Sequence, residues 1–446
     1  MPSAGNEALS GSRAFFWLLL GIAWFATIGV RPLLEPDEGR YAEIPREMHA
    51  SGDWVTPRLN GVKYFEKPAL QYWATAAVYS VFGVSEWTAR LWSSALAFAC
   101  IPLVFAFARR LYDSEKAGAA AAAVLAINPY FAIVGQLNLL DSGFCFFLTA
   151  AMFAFLRARS TSEAAESERV WMVVTSVCLG LAVLMKGIAA LVLAGGTLAI
   201  YLSITREVRS LRSWHLPVAL PVFLVVTVPW FVIVSARNPE FPEFFFIHEH
   251  FARYLTNEAD RVEPWWYFLP FVVVAVLPWA VPAVLSLRDV RIPKSWDDRS
   301  RARAFLLVWC AFVVFFFSIS HSKLATYLMP MIPALAVLLA PMVAARAGAL
   351  KQAGWIVMLL ITLVATALVI AASRRADVIP SALLLCCSLA VVITLACALF
   401  THGRWLVAAT GAVLAFQGLL VAYSTLPPLR TSKGLVEVSR PYIGPH

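Results

Sequence analysis

The stretch Pro68–Gly83, PALQYWATAAVYSVFG, decides how the rest of the chain is threaded. It is apolar, but shorter than the ~20 residues a spanning helix needs. It also carries Gln71, Thr75 and Ser80 among its aromatics. Such a segment either crosses the bilayer or lies flat at the interface as an amphipathic helix. Charge separates the two readings. Laid flat, with the N-terminus inside, the segment leaves Arg109, Arg110, Lys116, Arg157, Arg159, Arg169, Arg206, Arg209 and Arg212 in inner loops. Arg288, Arg291, Lys294, Arg299, Arg301, Arg303, Arg346, Lys351 and Arg404 join them there. That obeys the positive-inside rule with one orientation. If the segment spans, either every later loop changes sides or the N-terminus lies outside.

The composition frames this choice. Of 446 residues, 60% are hydrophobic and 14% charged, and the mean hydropathy is +0.73. Soluble domains rarely exceed half apolar. Apolar runs near spanning length recur at about 14–31, 87–108, 117–135, 142–157, 170–185, 187–204, 215–236, 265–287, 304–320, 325–344, 354–373, 379–400 and 405–425. The expectation is therefore an all-α polytopic membrane protein of about thirteen transmembrane helices. The net charge of +9 sits mostly in short loops, so it reads as a topology signal and no nucleic acid is expected. No small-residue cleavage site follows the first apolar run, so no signal peptide is expected. The seven cysteines lie in apolar segments without a paired loop motif, which favours neither disulfides nor a cysteine metal site.

Flat placement of Pro68–Gly83 gathers the unusual polar clusters on the outer face. LLEPDEGRYAEI (Leu33–Ile44) places Asp37 and Glu38 side by side, with Arg40 and Tyr41 behind them. Pro36 and the two acids suit a helix N-terminus; the alternative makes Asp37 a general base or a sugar-orienting hydrogen-bond acceptor facing a cavity. Tyr64-Phe65-Glu66-Lys67 is read either as an interfacial ion pair or as a phosphate-binding Lys67 beside a metal-binding or hydrogen-bonding Glu66. Asp141 either caps the next helix or, as an acid at membrane depth, is functional. In Ile247–Tyr254, IHEHFARY, the His248/His250 spacing supports a metal site only with a ligand from elsewhere, and Arg253 has the reach for a phosphate. In Ser320–Tyr327, Lys323 either snorkels or joins Tyr327, on the same helix face, at a lipid phosphate. Lys186 is a further lone candidate. There is no Walker A loop and no Ser/His/Asp arrangement, so no nucleotide cofactor is expected.

These residues are familiar together. EPDEGRYAEIPREMHASGDWVTPRLNGVKYFEKPALQYW resembles the first outer loop of the ArnT-type lipid A aminoarabinose transferases, GT-C membrane glycosyltransferases related to the protein O-mannosyltransferases. NLLDSGF, FFFIHEHFARYL, PWWYFLPF and FFSISHSKLATYLMPMIPALAVL continue the likeness in order over about residues 14–345. The resemblance implies a GT-C bundle with surface helices in its first periplasmic loop, in a bacterial inner membrane. It implies transfer of a sugar from a polyprenyl phosphate to a lipid A, glycan or protein acceptor at the periplasmic face. It casts Asp37 and Asp141 as catalytic acids, and Lys67, Arg40, Arg253, Tyr327 and Lys323 as the donor-phosphate site. Glu38, Tyr41 and Tyr64 fall in the substrate pocket. Glu66 and His250 match a divalent metal pair, with zinc expected. A monomer is anticipated. The expected divisions are a catalytic core over 1–345 with outer loops 32–86 and 237–264, additional helices over 346–425, and a short periplasmic tail over 426–446 in place of the family's soluble domain. Leu140-Asp141-Ser142 stands where the family usually has LDP, and Ala325 where it has Pro. These departures leave the acceptor open. The rival reading is a polyprenyl-linked sugar flippase that uses the same charges as a relay, although a transporter would place them near the bilayer midplane.

Overall fold

Long apolar runs with few charges can satisfy their backbone in lipid only as helices, and helices dominate the fold. The structure, a computed structural model, describes residues 4–160, 165–206, 214–252, 263–288, 296–346, 348–373, 381–400 and 405–424. In chain order these form α1 (Ala4–Phe25), α2 (Asp37–Ser51), the two-residue strands β1 (Arg58–Leu59) and β2 (Val62–Lys63), α3 (Leu70–Phe82), α4 (Glu86–Tyr112), α5 (Glu115–Ile127), α6 (Pro129–Val134) and α7 (Leu140–Ala158). There follow α8 (Ala165–Lys186), α9 (Ala189–Thr205), α10 (Leu216–Arg237), a π-helix (Glu243–Ala252), α11 (Leu269–Val276), a 3-10 turn (Leu277–Trp279) and α12 (Ala280–Arg288). The rest is α13 (Asp298–Ile319), a 3-10 helix (Ala325–Met331), α14 (Ile332–Ala345), α15 (Ala349–Ser373), α16 (Ser381–Phe400) and α17 (Trp405–Ser424). Among the described residues seven helical segments are long and apolar enough to cross a membrane, and four shorter apolar helices accompany them.

Three expected spans are divided. The run 117–135 breaks between α5 and α6, where the Asn128 side chain caps Phe131 N at 3.1 Å and donates to Ala275 O at 2.9 Å. Pro129 follows at the first helical position, where its missing N–H costs nothing. The run 265–287 is interrupted by the 3-10 turn carrying Pro278. The run 325–344 begins as a 3-10 helix and becomes α14 only after Met331, with Pro333 in its first turn. Hydropathy averages over such breaks; proline geometry sets them.

Pro68–Gly83 folds as α3, whose 13 residues span about 20 Å at the α-helical rise, too short for a ~30 Å hydrocarbon core. Its inward face is Gln71, Tyr72, Thr75, Ala76 and Tyr79, while Val81 and Phe82 are exposed at its end. α3 packs between α2 and α4. The C-terminal helices return to the start of the chain. Gln417 of α17 donates to Trp24 O at 2.7 Å and accepts from Thr27 at 2.7 Å. The tail 426–446 lies outside the described residues.

Candidate active site

The loops that follow α1 and α10 are built to hold side chains in place. In α2, Asp37 and Glu38 occupy the first turn, where the helix dipole favours acids. The hairpin β1–β2 turns at Asn60-Gly61, both at positive φ (54° and 77°), the backbone that tight hairpins require. Glu47 of α2 accepts from Gly61 N at 3.0 Å and so ties the hairpin to the helix. The chain then returns along α2 and delivers Tyr64, Glu66 and Lys67 to the face that carries Asp37 and Arg40. Arg40 lies 3.4 Å from the Tyr64 hydroxyl, 3.7 Å from Glu66 and 3.9 Å from Asp37.

The loop after α10 docks on the loop after α1. Trp230 donates to Val55 O at 3.1 Å, Asn238 to Thr56 Oγ1 at 3.0 Å, and Lys63 pairs with Glu240 at 2.6 Å. Phe65 stands edge-on to Phe241, with centroids 5.2 Å apart. These contacts bring the π-helix over Lys67, whose ammonium pairs with Glu249 and donates to Glu66 O at 2.8 Å.

A second cluster surrounds Asp141, in the first turn of α7. Lys186, the last residue of α8, pairs with it at 2.5 Å. The Lys186 ammonium also stands 4.5 Å from the Tyr327 ring centroid, a cation–π distance. Tyr327 therefore belongs to the Asp141 side and packs on Phe317 at 4.9 Å.

Glu38 joins the two clusters, and here the structure departs from expectation. Glu38 was anticipated in the substrate pocket; it is instead turned inward and only 2% exposed. Arg90 of α4 reaches it with Nε at 2.7 Å and Nη2 at 2.9 Å, and Arg31 with Nη1 at 3.1 Å. Its carboxylate also accepts from Leu34 N at 3.0 Å and Asn138 N at 2.8 Å. Arg90 donates further to the carbonyls of Ile28, Arg31 and Pro32, and Arg31 to that of Gln136. One carboxylate thus fastens the segment before Asp37 to the segment before Asp141. Successive helical residues point about 100° apart, so only one of two adjacent acids turns inward. Burial alone would raise the Glu38 pKa; hydrogen bonds and charge from Arg90 and Arg31 overcome it and hold it below the usual range.

Tyr41 is buried between the clusters. Burial first, then Tyr64, Asp37 and Asp141, push its hydroxyl well above the usual range, so it stays neutral. Tyr64 is shifted the same way, chiefly by burial and then by Glu66. Among the described residues Lys323 does not hydrogen-bond to this group: it is buried and donates to Glu263 O at 2.8 Å and to Ser320 O. Its donors are taken by backbone carbonyls, that of Ser320 in its own loop and that of Glu263 in the segment before α11. Arg253 and the His250 side chain lie outside the described residues. Among the described residues no group of three His, Cys, Asp or Glu forms a metal cluster, and Glu66 faces the Arg40 cation. The described residues alone therefore do not make a metal site. Sequence reasoning missed Glu249, Asn138 and Arg90. Arg90 carried a signal, being an arginine near the start of an apolar run.

The sequence matches the family described as dolichyl-phosphate-mannose-protein mannosyltransferase over residues 12–245, more than half the chain. The chain belongs to this family. Within the family's fold, it is similar to the crystal structure of ArnT from Cupriavidus metallidurans bound to undecaprenyl phosphate, with a TM-score of 0.83 at 33% identity over 93% of this chain and 78% of that one. The resemblance to ArnT-type GT-C transferases read from the outer loops is thereby established. An undecaprenyl phosphate-alpha-4-amino-4-deoxy-L-arabinose arabinosyl transferase from Pseudomonas aeruginosa is 33% identical over 335 residues, 74% of this chain and 59% of the relative. A second arabinosyl transferase of this name, from Pseudomonas fluorescens, is 32% identical over 333 residues, 74% of this chain and 56% of the relative. The chain thus spans under two thirds of the length of these curated relatives.

Proposed function

We propose that this protein is a multi-pass membrane glycosyltransferase that moves a sugar from a polyprenyl phosphate to a lipid or glycan acceptor. We place it in a bacterial inner membrane with the site facing the periplasm. The observation that carries the reading is the meeting of Asp37, Arg40, Glu66 and Lys67 with Glu249, from loops far apart in sequence. All these groups come from one chain, which supports a monomeric catalyst. The relatives' names make 4-amino-4-deoxy-L-arabinose the first sugar to test.

The donor is already activated, because a phosphate monoester is a good leaving group. Lys67 and Arg40 meet the phosphate oxygens and stabilise the charge that grows as the anomeric C–O bond breaks. The bonding electrons leave with the phosphate oxygen. The acceptor oxygen bonds to the anomeric carbon, and Asp37, whose side chain is 29% exposed, takes its proton. Asp141, held by Lys186, stabilises the positive charge that develops on the sugar.

The test is transfer in vesicles from a panel of polyprenyl-phosphate sugars. Wild type and Glu43→Gln, which alters an exposed pair with Arg46, are expected to transfer. Asp37→Asn is expected to lose transfer; full activity in that variant would end the mechanism.

A further inference from the structure

The three cations in these clusters are already matched with carboxylates. Arg40 lies within 4 Å of Asp37 and Glu66, Lys186 pairs with Asp141, and Lys67 pairs with Glu249. Among the described residues of the site, four carboxylates therefore face three cations. An anionic phosphodiester arriving at Lys67 meets a carboxylate on the same ammonium, and two anions on one cation repel.

Three of these carboxylates are fixed by covalent proximity or by their place in the proposed chemistry. Asp37 shares α2 with Arg40, three residues away; Glu66 is the chain neighbour of Lys67; Asp141 opens α7. Glu249 comes from the loop after α10, on a different element from Lys67, and has no place in the proposed chemistry. That element is a π-helix of ten residues, a geometry that is rare and is frequently found at functional sites. The π-helix is continuous with the aromatic cluster of Phe241, Phe245 and Phe246, so Glu249 stands on an anchored arm. Its side chain is 7% exposed, against 17% for Lys67, and it covers the more open of the two partners.

We infer that Glu249 is the resident counter-ion of the donor site: the carboxylate that the donor phosphate displaces from Lys67, and that reclaims Lys67 as the polyprenyl phosphate product leaves. The inference rests on the functional reading above and adds a step to it. Before transfer, the phosphodiester carries one negative charge and exchanges with Glu249 on Lys67. After transfer, the phosphate carries the electron pair of the broken C–O bond and is the stronger competitor. Glu249 is the built-in counter-ion that restores the ammonium and sets how quickly product departs.

The test uses the purified full-length chain with a short-chain polyprenyl phosphate as the binding probe, followed by steady-state transfer. If Glu249 holds Lys67 about nine-tenths of the time, Glu249→Gln tightens the probe and lowers donor KM by about tenfold. Turnover falls in the same variant, because product is released slowly. Lys67→Ala weakens the probe. Glu249→Asp, with its carboxylate drawn back by one methylene, tightens the probe to a smaller degree and keeps the experiment decisive if Glu249→Gln fails to fold. Unchanged or weaker binding in a folded Glu249 variant, with wild-type transfer intact, would overturn the inference alone. Absence of binding and transfer in the wild type would overturn the functional reading and the inference with it.

Discussion

Replacing Glu38 by glutamine keeps the shape of the knot between the two acid-bearing segments and removes its negative charge. Two guanidinium groups, of Arg90 at 0% and Arg31 at 2% exposure, then lie buried without a counter-charge. Removing one partner of a buried ion pair costs about 3–5 kcal/mol. The retained amide oxygen still accepts a hydrogen bond, so the lower end, about 3 kcal/mol, is expected. At roughly 2 cal/mol/K per residue, about 1 kcal/mol moves the midpoint of a chain this long by about 1 °C, so the expected shift is about 3 °C downward. Glu43→Gln, at an exposed pair, is the control and is expected to cost under about 1 kcal/mol. Thermal unfolding in one detergent, with transfer measured on the same preparations, reads both effects. Glu38→Gln should also reduce turnover more than it changes donor KM, since the tether from Glu38 to Asn138, and through it to Asp141, is weakened. The pH dependence has a defined sign. The Glu38 carboxyl is held below its usual value in the fold, so its contribution is complete above the unfolded pKa of about 4.3 and disappears as pH falls through the folded value. The gap between wild type and Glu38→Gln should be flat at neutral pH and should close in acid. Equal midpoints for wild type, Glu38→Gln and Glu43→Gln at pH 7 would refute the reasoning.

Three further outcomes are expected. Lys186→Met strips Asp141 of its cation and should reduce kcat by about 10²-fold, the scale of one lost electrostatic contact at a reacting centre; unchanged kcat would remove Asp141 from the mechanism. If Glu66 and His250 together hold a divalent ion, elemental analysis of purified protein should find zinc in the wild type and a loss in both Glu66→Ala and His250→Ala; equal content in all three would reject that pair. Arg40→Lys keeps charge but loses the planar fork that meets Tyr64, Glu66 and Asp37, so donor KM should rise by about tenfold; no change would assign the phosphate to Lys67 without Arg40.

Much of the architecture was legible in hydropathy. α4, α7, α8, α9, α10 and α13 lie where apolar runs of spanning length predict them. What escaped was local. The Asn128-Pro129 break, the Pro278 turn and the 3-10 start at Ala325 are decisions of capping and proline geometry inside stretches whose average apolarity is uniform. The site shows the same division. The Asp37, Arg40, Glu66 and Lys67 cluster was legible because the polar residues gather on one face under the positive-inside rule. The sequence does not tell which way the Glu38 and Lys323 side chains point. Their buried partners, Arg90 for one and backbone carbonyls for the other, are supplied by tertiary structure. Glu249 was passed over beside the more conspicuous His248 and His250, and only the docking of the second loop on Phe65 reveals it as the partner of Lys67.

The most direct measurement is an experimental structure of the full chain with polyprenyl phosphate bound. The account predicts the phosphorus atom within about 4 Å of the Lys67 ammonium, as a charge-assisted hydrogen bond of about 2.8 Å to a phosphate oxygen requires, with Asp37 on the same wall of the chamber. A phosphate seated among the basic loops at the opposite end of the bundle, away from Asp37, Arg40 and Lys67, would contradict it.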